Sequence, residues 1–201
     1  FTGTVDGKLS IPTEATLPPS TLVFKNYNST FNGIAKNFSR LNVADGSTLK
    51  LKTLSTGEAG KDDTSGVFNN KALTLANAGN VEADAVNVVV GNGLSVEDGT
   101  LTVTKSLKSA EAGDGTKGIN VSGNGVLTAA NRLLVKKDGE SISTADGLKK
   151  LYLGQGGTLA VTGLGRISTA DMQKYHSALV AANSTGLIKY EGAAIDVSDD
   201  D

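Results

Sequence analysis

Cysteine and tryptophan are missing from this chain, histidine and methionine occur once each, and proline three times. Without cysteine there is no disulfide framework and no thiolate-bound zinc or iron–sulfur centre. A single histidine removes any multi-histidine metal site. Aromatic residues are few, four Tyr and five Phe among 201 residues, so a core has to be assembled from many small aliphatic side chains. Neither sign of charge is in excess. Nineteen basic against 21 acidic residues give a formal net charge of −2, which lacks the electrostatic footprint of a nucleic-acid binder. Long apolar runs are absent as well. A stretch such as Val86-Asn87-Val88-Val89-Val90 falls far short of the roughly 18 residues a membrane helix needs, and no membrane insertion by this segment is expected. The chain opens on Phe1 with no charged stretch followed by an apolar one. The expectation is therefore a mature protein, or a piece of a longer one, without a signal peptide.

What the chain has instead is short-range alternation. Leu49-Lys50-Leu51-Lys52 and Leu101-Thr102-Val103-Thr104 place an apolar residue at every second position, the period of a β-strand. Shorter runs at Leu22-Val23-Phe24, Leu73-Thr74-Leu75, Leu133-Leu134-Val135 and Leu159-Ala160-Val161 predict further strands. Turn signals stand between them: Asp6-Gly7, Asp45-Gly46, Asn92-Gly93, Asp98-Gly99, Asn124-Gly125 and Asp138-Gly139. Glycine supplies the positive φ of a tight turn, and Asn or Asp tolerates it. The reading is all-β.

An imperfect repeat sharpens that reading. Leu41-Asn42-Val43-Ala44-Asp45-Gly46 resembles Leu94-Ser95-Val96-Glu97-Asp98-Gly99, and both resemble Ile119-Asn120-Val121-Ser122-Gly123-Asn124-Gly125. Thr4-Val5-Asp6-Gly7-Lys8-Leu9 is a shorter echo. Leu94 and Ile119 are 25 residues apart, and Leu41 and Leu94 about twice that. Ile142-Ser143-Thr144-Ala145-Asp146 returns as Ile167-Ser168-Thr169-Ala170-Asp171, again after 25 residues. A period in the twenties suits one coil of a solenoid, which cannot bury its apolar face alone and stacks on its neighbours. About eight such coils, at roughly 4.8 Å per strand, would make a rod on the order of 40 Å long. The expected fold is a right-handed parallel β-helix. Two β-sandwich domains are the alternative, although they usually carry a large core aromatic, and a trimeric fibre shaft is a third.

One segment departs from this pattern. Ser168, Met172, Tyr175, His176, Leu179 and Val180 share a helical spacing, Ser168 and Asp171 resemble a capping box, and Gly186 can close the far end. The expected organisation is β-helical coils over 1–167, a helical cap or excursion over 168–186, and a final strand with an acidic tail over 187–201. The earlier copy at Ile142–Asp146 meets Gly147 at once and predicts only a turn.

Candidate chemistry is thin. Gly113-Asp114-Gly115-Thr116-Lys117-Gly118 matches G-x-G-x-x-G, but no strand-then-helix context surrounds it. Gly57-Glu58-Ala59-Gly60-Lys61-Asp62 approaches a phosphate loop, yet Ser55 replaces its first glycine and Asp62 its magnesium-binding hydroxyl. His176 is the one imidazole available as a general base, without a G-x-S-x-G elbow, and on the apolar face of the predicted helix. Glu58, Asp62 and Asp63 cluster in one loop, as do Glu111 and Asp114. Such carboxylates could serve a glycosidase, though surface acids in glycine-rich loops are usually only solvated. Arg40, Arg132 and Arg166 flank no acidic pair. Gly154-Gln155-Gly156-Gly157-Thr158 lacks the Asp of a calcium-binding β-roll. Sequons at Asn28, Asn37, Asn120 and Asn183 occur about as often as chance allows. No catalytic, cofactor-binding or metal-ligating residue is assigned, and no cofactor is expected.

Val67-Phe68-Asn69-Asn70-Lys71-Ala72-Leu73-Thr74-Leu75, Gly99-Thr100-Leu101-Thr102-Val103 and Gly156-Gly157-Thr158-Leu159-Ala160-Val161 are similar in style to coils of bacterial autotransporter passengers and related β-helical surface adhesins. Phage tail spikes and fibres share the style. The resemblance spans most of residues 41–165 and transfers no functional residue. It implies a secreted or cell-surface rod on a bacterium that mediates attachment, aggregation or presentation. Its partner would be a host or bacterial surface glycan or protein, or another copy of the rod. A polysaccharide-active β-helix enzyme, or a phage tail spike or fibre, is the alternative function.

Overall fold

The computed structural model describes residues 3–7, 20–76, 79–110, 113–134, 151–163, 165–181, 183–192 and 194–196. Asp138-Gly139, Ile142–Asp146, Glu111 and the Asp199–Asp201 tail lie outside the described residues. Among the described residues, eighteen strands and two helices carry the fold. The early strands are β1 (Thr4–Asp6), β2 (Thr21–Phe24), β3 (Asn28–Thr30), β4 (Ile34–Lys36), β5 (Arg40–Val43) and β6 (Thr48–Ser55). The middle of the chain adds β7 (Gly66–Phe68), β8 (Leu73–Leu75), β9 (Asn80–Val88), β10 (Gly93–Val96), β11 (Thr100–Ser109), β12 (Gly118–Val121) and β13 (Val126–Ala130). After α1 (Asn131–Leu134) come β14 (Leu151–Leu153), β15 (Thr158–Thr162), β16 (Arg166–Ser168), α2 (Thr169–Ala181), β17 (Leu187–Tyr190) and β18 (Ala194–Asp196).

Every strand pairing among the described residues is parallel. The ten-stranded sheet A runs β1-β4-β7-β6-β9-β11-β13-β15-β17, with β3 also on β6. The six-stranded sheet B runs β14-β12-β10-β8-β5-β2, and β16 pairs with β18 in a third sheet. From β8 to β15 successive strands alternate between sheets B and A. Sheet A is two tracks wide in its middle. The first half of β6 pairs with β3 and its second half with β7, while β9 and β11 bend at a register shift between Val103 and Ser106. At that bend Asp84 accepts hydrogen bonds from Thr104 Oγ1 (2.8 Å) and Lys105 Nζ (2.7 Å), tying one strand to the next.

The register explains the alternation in the sequence. Leu49, Val81, Leu101, Leu127 and Leu159 pair in succession across sheet A, and none is more than 3% exposed. Leu73, Leu94, Ile119 and Leu151 do the same in sheet B. Each such side chain contributes roughly 1.5–3 kcal/mol on burial. Between them point Lys50, Glu82, Thr102 and Thr128, also in register and on the less buried side of their strands.

The repeat of 25 residues is the register of one pair, since Leu94 lies opposite Ile119. Elsewhere the chain-length between partners varies, from 13 residues (Leu54 to Val67) to 34 (Leu41 to Leu75). Leu41 pairs with Leu75, and Leu75 with Val96, so the Leu41 copy of the repeat is offset by two residues from its expected partner Leu94. A shift of two keeps the same face inward.

Two expectations are corrected. Leu133-Leu134 is not a strand: both side chains are buried in α1, and two consecutive buried residues fit a helical turn better than a half-buried strand. His176 does not lie on an apolar face. Among the described side chains of α2 the buried positions are Tyr175 and Leu179, with Met172 packed beside them, while His176 and Val180 are exposed. The helix touches β16 and β14, the latter being the last strand of sheet B, and its contact stripe is narrower than the sequence spacing suggests. No helix among the described residues is long and apolar enough to cross a membrane.

Candidate ligand-binding cleft

The two glycine-rich motifs are closed on themselves. In 113–118, Asp114 Oδ1 accepts from Thr116 N (2.7 Å), Thr116 Oγ1 (2.8 Å) and Lys117 N (2.7 Å). Buried Asn120 accepts from Gly115 N (2.7 Å) and donates to Lys117 O (3.1 Å). These bonds hold the Asp114 carboxyl down at about 2, the Lys117 and Thr116 amides contributing most. The N–H groups that a phosphate would need are thus already engaged. Around Gly57 the same holds: Gly57 N donates to Ser55 Oγ (3.0 Å) and Gly60 N to Asp63 Oδ2 (2.7 Å).

The acidic loop is split by this arrangement. Asp63 turns back on Gly60, whereas Glu58 Oε1 accepts from Asn70 Nδ2 at 2.8 Å. The carboxylates that a two-acid glycosidase would set across a bond therefore serve different partners. Among the described residues no three His, Asp or Glu side chains are grouped as a metal site. Arg132 donates to Thr104 O (2.7 Å), and Arg40 sits within the β2–β5–β8 register.

Glu58 instead faces a cleft of about 440 Å³, within the size range of small-ligand sites. Four stretches build it: Ser20 at the entry to β2, Asn37 and Ser39 between β4 and β5, Glu58 after β6, and Asn69-Asn70-Lys71 between β7 and β8. Ladder bonds continued past the strand ends stack them. Asn37 N donates to Phe68 O (3.0 Å), Asn69 N to Ser55 O (2.9 Å), Thr74 N to Ser39 O (2.9 Å) and Arg40 N to Ser20 O (3.2 Å). Asn37 adopts φ 62°, a left-handed conformation that Asn tolerates better than most residues.

Side-chain bonds fix the wall. Ser20 Oγ donates to Asn37 O (2.8 Å), Asn37 Nδ2 to Asp6 Oδ1 (2.6 Å), and Asn69 Nδ2 to Ala72 O (2.8 Å). The Ser20 hydroxyl spends its only proton and each amide one of its two N–H groups, which tips the lining towards acceptor oxygens. Asn69 is only 4% exposed. Ion pairs among the described residues join Lys36 to Asp6, Lys50 to Glu82 and Lys105 to Asp84, and the exposed Lys71 on the cleft rim belongs to none of them.

Sequence reasoning picked out Glu58 as an acid in a loop and Asn69–Lys71 as part of a coil phrase, without joining them. Their common signal is weak: two amides and a lysine follow the buried Val67-Phe68 pair, at a position where a solvated turn is the ordinary outcome. Of the sequons, Asn120 is 4% exposed and Asn28 Oδ1 accepts from Thr48 N (2.9 Å), so both serve the fold. No family model, curated protein or solved structure matches the chain.

Proposed function

We propose that this chain is a non-enzymatic segment of a bacterial surface adhesin or stalk, coiled as a right-handed parallel β-helix of the autotransporter-passenger type. The observation that carries the reading is the threading: from β8 to β15 successive strands alternate between sheets B and A, and each as far as β13 pairs in parallel with the strand two strands further along the chain. Aliphatic ladders fill the inside, and ladders of Lys, Glu and Thr face out. A rod of this kind offers many weak hydrogen-bonding groups in a row, suited to multivalent attachment or to pairing with another copy. Its place would be outside the cell or on the outer surface.

The test is display of the chain on a non-adherent bacterium. Aggregation or attachment to host cells above an empty-display control is expected, with pull-down identifying the partner class. Light scattering on the purified chain distinguishes a passenger, which needs no trimer, from an obligately trimeric fibre. No aggregation and no attachment would leave only a stalk. Release of reducing ends from capsular or host polysaccharide would overturn the non-enzymatic reading.

A further inference from the structure

We infer that the cleft between the β4–β5, β6–β7 and β7–β8 connections is a glycan-binding site for a neutral or amino sugar. The inference rests on the attachment reading and names the surface that does the attaching. Its basis is the donor–acceptor balance of the lining. The Asn37, Asn69 and Asn70 amides each commit an N–H to Asp6, Ala72 and Glu58. The Ser20 hydroxyl commits its proton to Asn37 O. What they turn to a ligand is the amide oxygens with at most one N–H each, together with the Glu58 carboxylate.

Asn69 is the most telling member. It is 4% exposed, its amide nitrogen is bonded, and no described group donates to Oδ1. Yet no fully buried side-chain polar atom is without a partner, so Oδ1 reaches the cleft. An acceptor held this rigidly selects a ligand that brings hydrogen-bond donors, and a hexose presents several hydroxyls on one ring. The Glu58 carboxylate adds a charge-assisted acceptor, which favours hydroxyl and ammonium groups and repels uronate and sulfate. Lys71 on the rim supplies the one cationic donor, placed to meet a ring or glycosidic oxygen. A volume of about 440 Å³ limits the occupant to a short stretch of a chain.

The experiment uses the intact chain on an array of neutral, amino and acidic glycans, followed by titration of the best binder. Variants are Glu58→Ala and Lys71→Ala, both exposed side chains whose loss leaves the core untouched, with Lys108→Ala on β11 as a distant control. Binding to neutral or amino glycans is expected, weakened about 10-fold or more by Glu58→Ala and unaffected by Lys108→Ala. Glycan binding that survives both cleft variants would overturn the site while leaving the attachment reading intact. A strong preference for uronates or sulfated glycans would overturn the acceptor argument. An array without binders, with displayed cells still attaching, would overturn the glycan site and move attachment to another face. Loss of attachment altogether would remove the reading on which the site rests.

Discussion

Substituting Gly157 by alanine tests the stacking directly. Gly157 is buried in the turn between β14 and β15. A Cβ there would lie 2.1 Å from Val121 O and 2.5 Å from Val121 C, both backbone atoms of the neighbouring strand. Ordinary contact requires about 1 Å more. Opening the gap by that amount would stretch Gly154 N to Val121 O (2.8 Å) and Thr158 N to Gly125 O (3.0 Å) beyond bonding range. Overpacking of this kind costs about 1–3 kcal/mol, and two weakened bonds add about 1 kcal/mol each. The narrower unfolded ensemble of alanine returns about 0.4–1 kcal/mol. A net loss of about 2–4 kcal/mol corresponds to a fall in Tm of about 4–16 °C for a chain of this size. Gly165→Ala is the control, because a Cβ there meets nothing within 4 Å, and it should melt within a few degrees of the parent. Thermal unfolding followed by circular dichroism reads both. Equal midpoints for the two variants would refute the claim that the backbones of neighbouring strands touch at Gly157.

Three further outcomes follow from the same geometry. Leu127→Ala removes a fully buried side chain between Leu101 and Leu159 and should cost about 2–5 kcal/mol in urea unfolding; a cost below about 1 kcal/mol would contradict a continuous ladder. The Asp114 carboxyl, held at about 2 against an ordinary 3.8, contributes stability that is present above 3.8 and lost as pH falls through about 2. NMR titration should find its midpoint near 2 and shifted up towards the ordinary carboxylate value in Thr116→Ala,Lys117→Pro, which removes the Lys117 amide and Thr116 hydroxyl donors and keeps the Thr116 amide. Lys105→Ala breaks an exposed pair with Asp84 and should change stability by less than about 1 kcal/mol, an effect that added salt reduces.

The strands were legible because their alternation is the direct image of one buried and one outward face. Leu94 and Ile119 even lie opposite each other as the repeat implies. Glycine was only half legible. Gly46 and Gly99 do hold the positive φ, 74° and 71°, that Asp-Gly turns predict. In Asn92-Gly93 and Asn124-Gly125 the left-handed residue is instead Gly91 or Gly123. Gly93 and Gly125 are needed because Thr116 O and Val96 O approach to 2.1 Å of where a Cβ would stand. That requirement comes from backbone that is distant in sequence and leaves no local signature. The same holds for the cleft. Ser20, Ser39 and Lys71 precede β2, β5 and β8, and only the register of sheet B stacks them. His176 was misplaced for a related reason. A helix docked by one stripe buries Tyr175 and Leu179 and leaves the neighbouring apolar positions outside, and nothing in the spacing says how wide the stripe will be.

The scarcity of aromatics takes on a different meaning once their positions are known. Phe24 makes edge contacts with Tyr27 (5.1 Å) and Phe31 (5.7 Å) beside β2, the terminal strand of sheet B. Tyr175 of α2 meets Tyr190 at 6.0 Å on β17, a terminal strand of sheet A, and its hydroxyl bonds Asn131, the first residue of α1. Within the sheets an inward side chain has a neighbour on each side at about 4.8 Å, a spacing that Leu, Val and Ile fill by contact with their own kind. At a terminal strand one neighbour is missing, and the exposed flank of the ladder must be covered by something wider. A ring supplies that area with few rotatable bonds to fix. Phe68, fully buried in β7 between β4 and β6, is not at an end and needs its own room: its ring lies 3.1 Å from where Gly66 would carry a Cβ, so the wide side chain is accommodated by removing a small one. Few aromatics are needed because the ladders have few ends, and those at the ends close them.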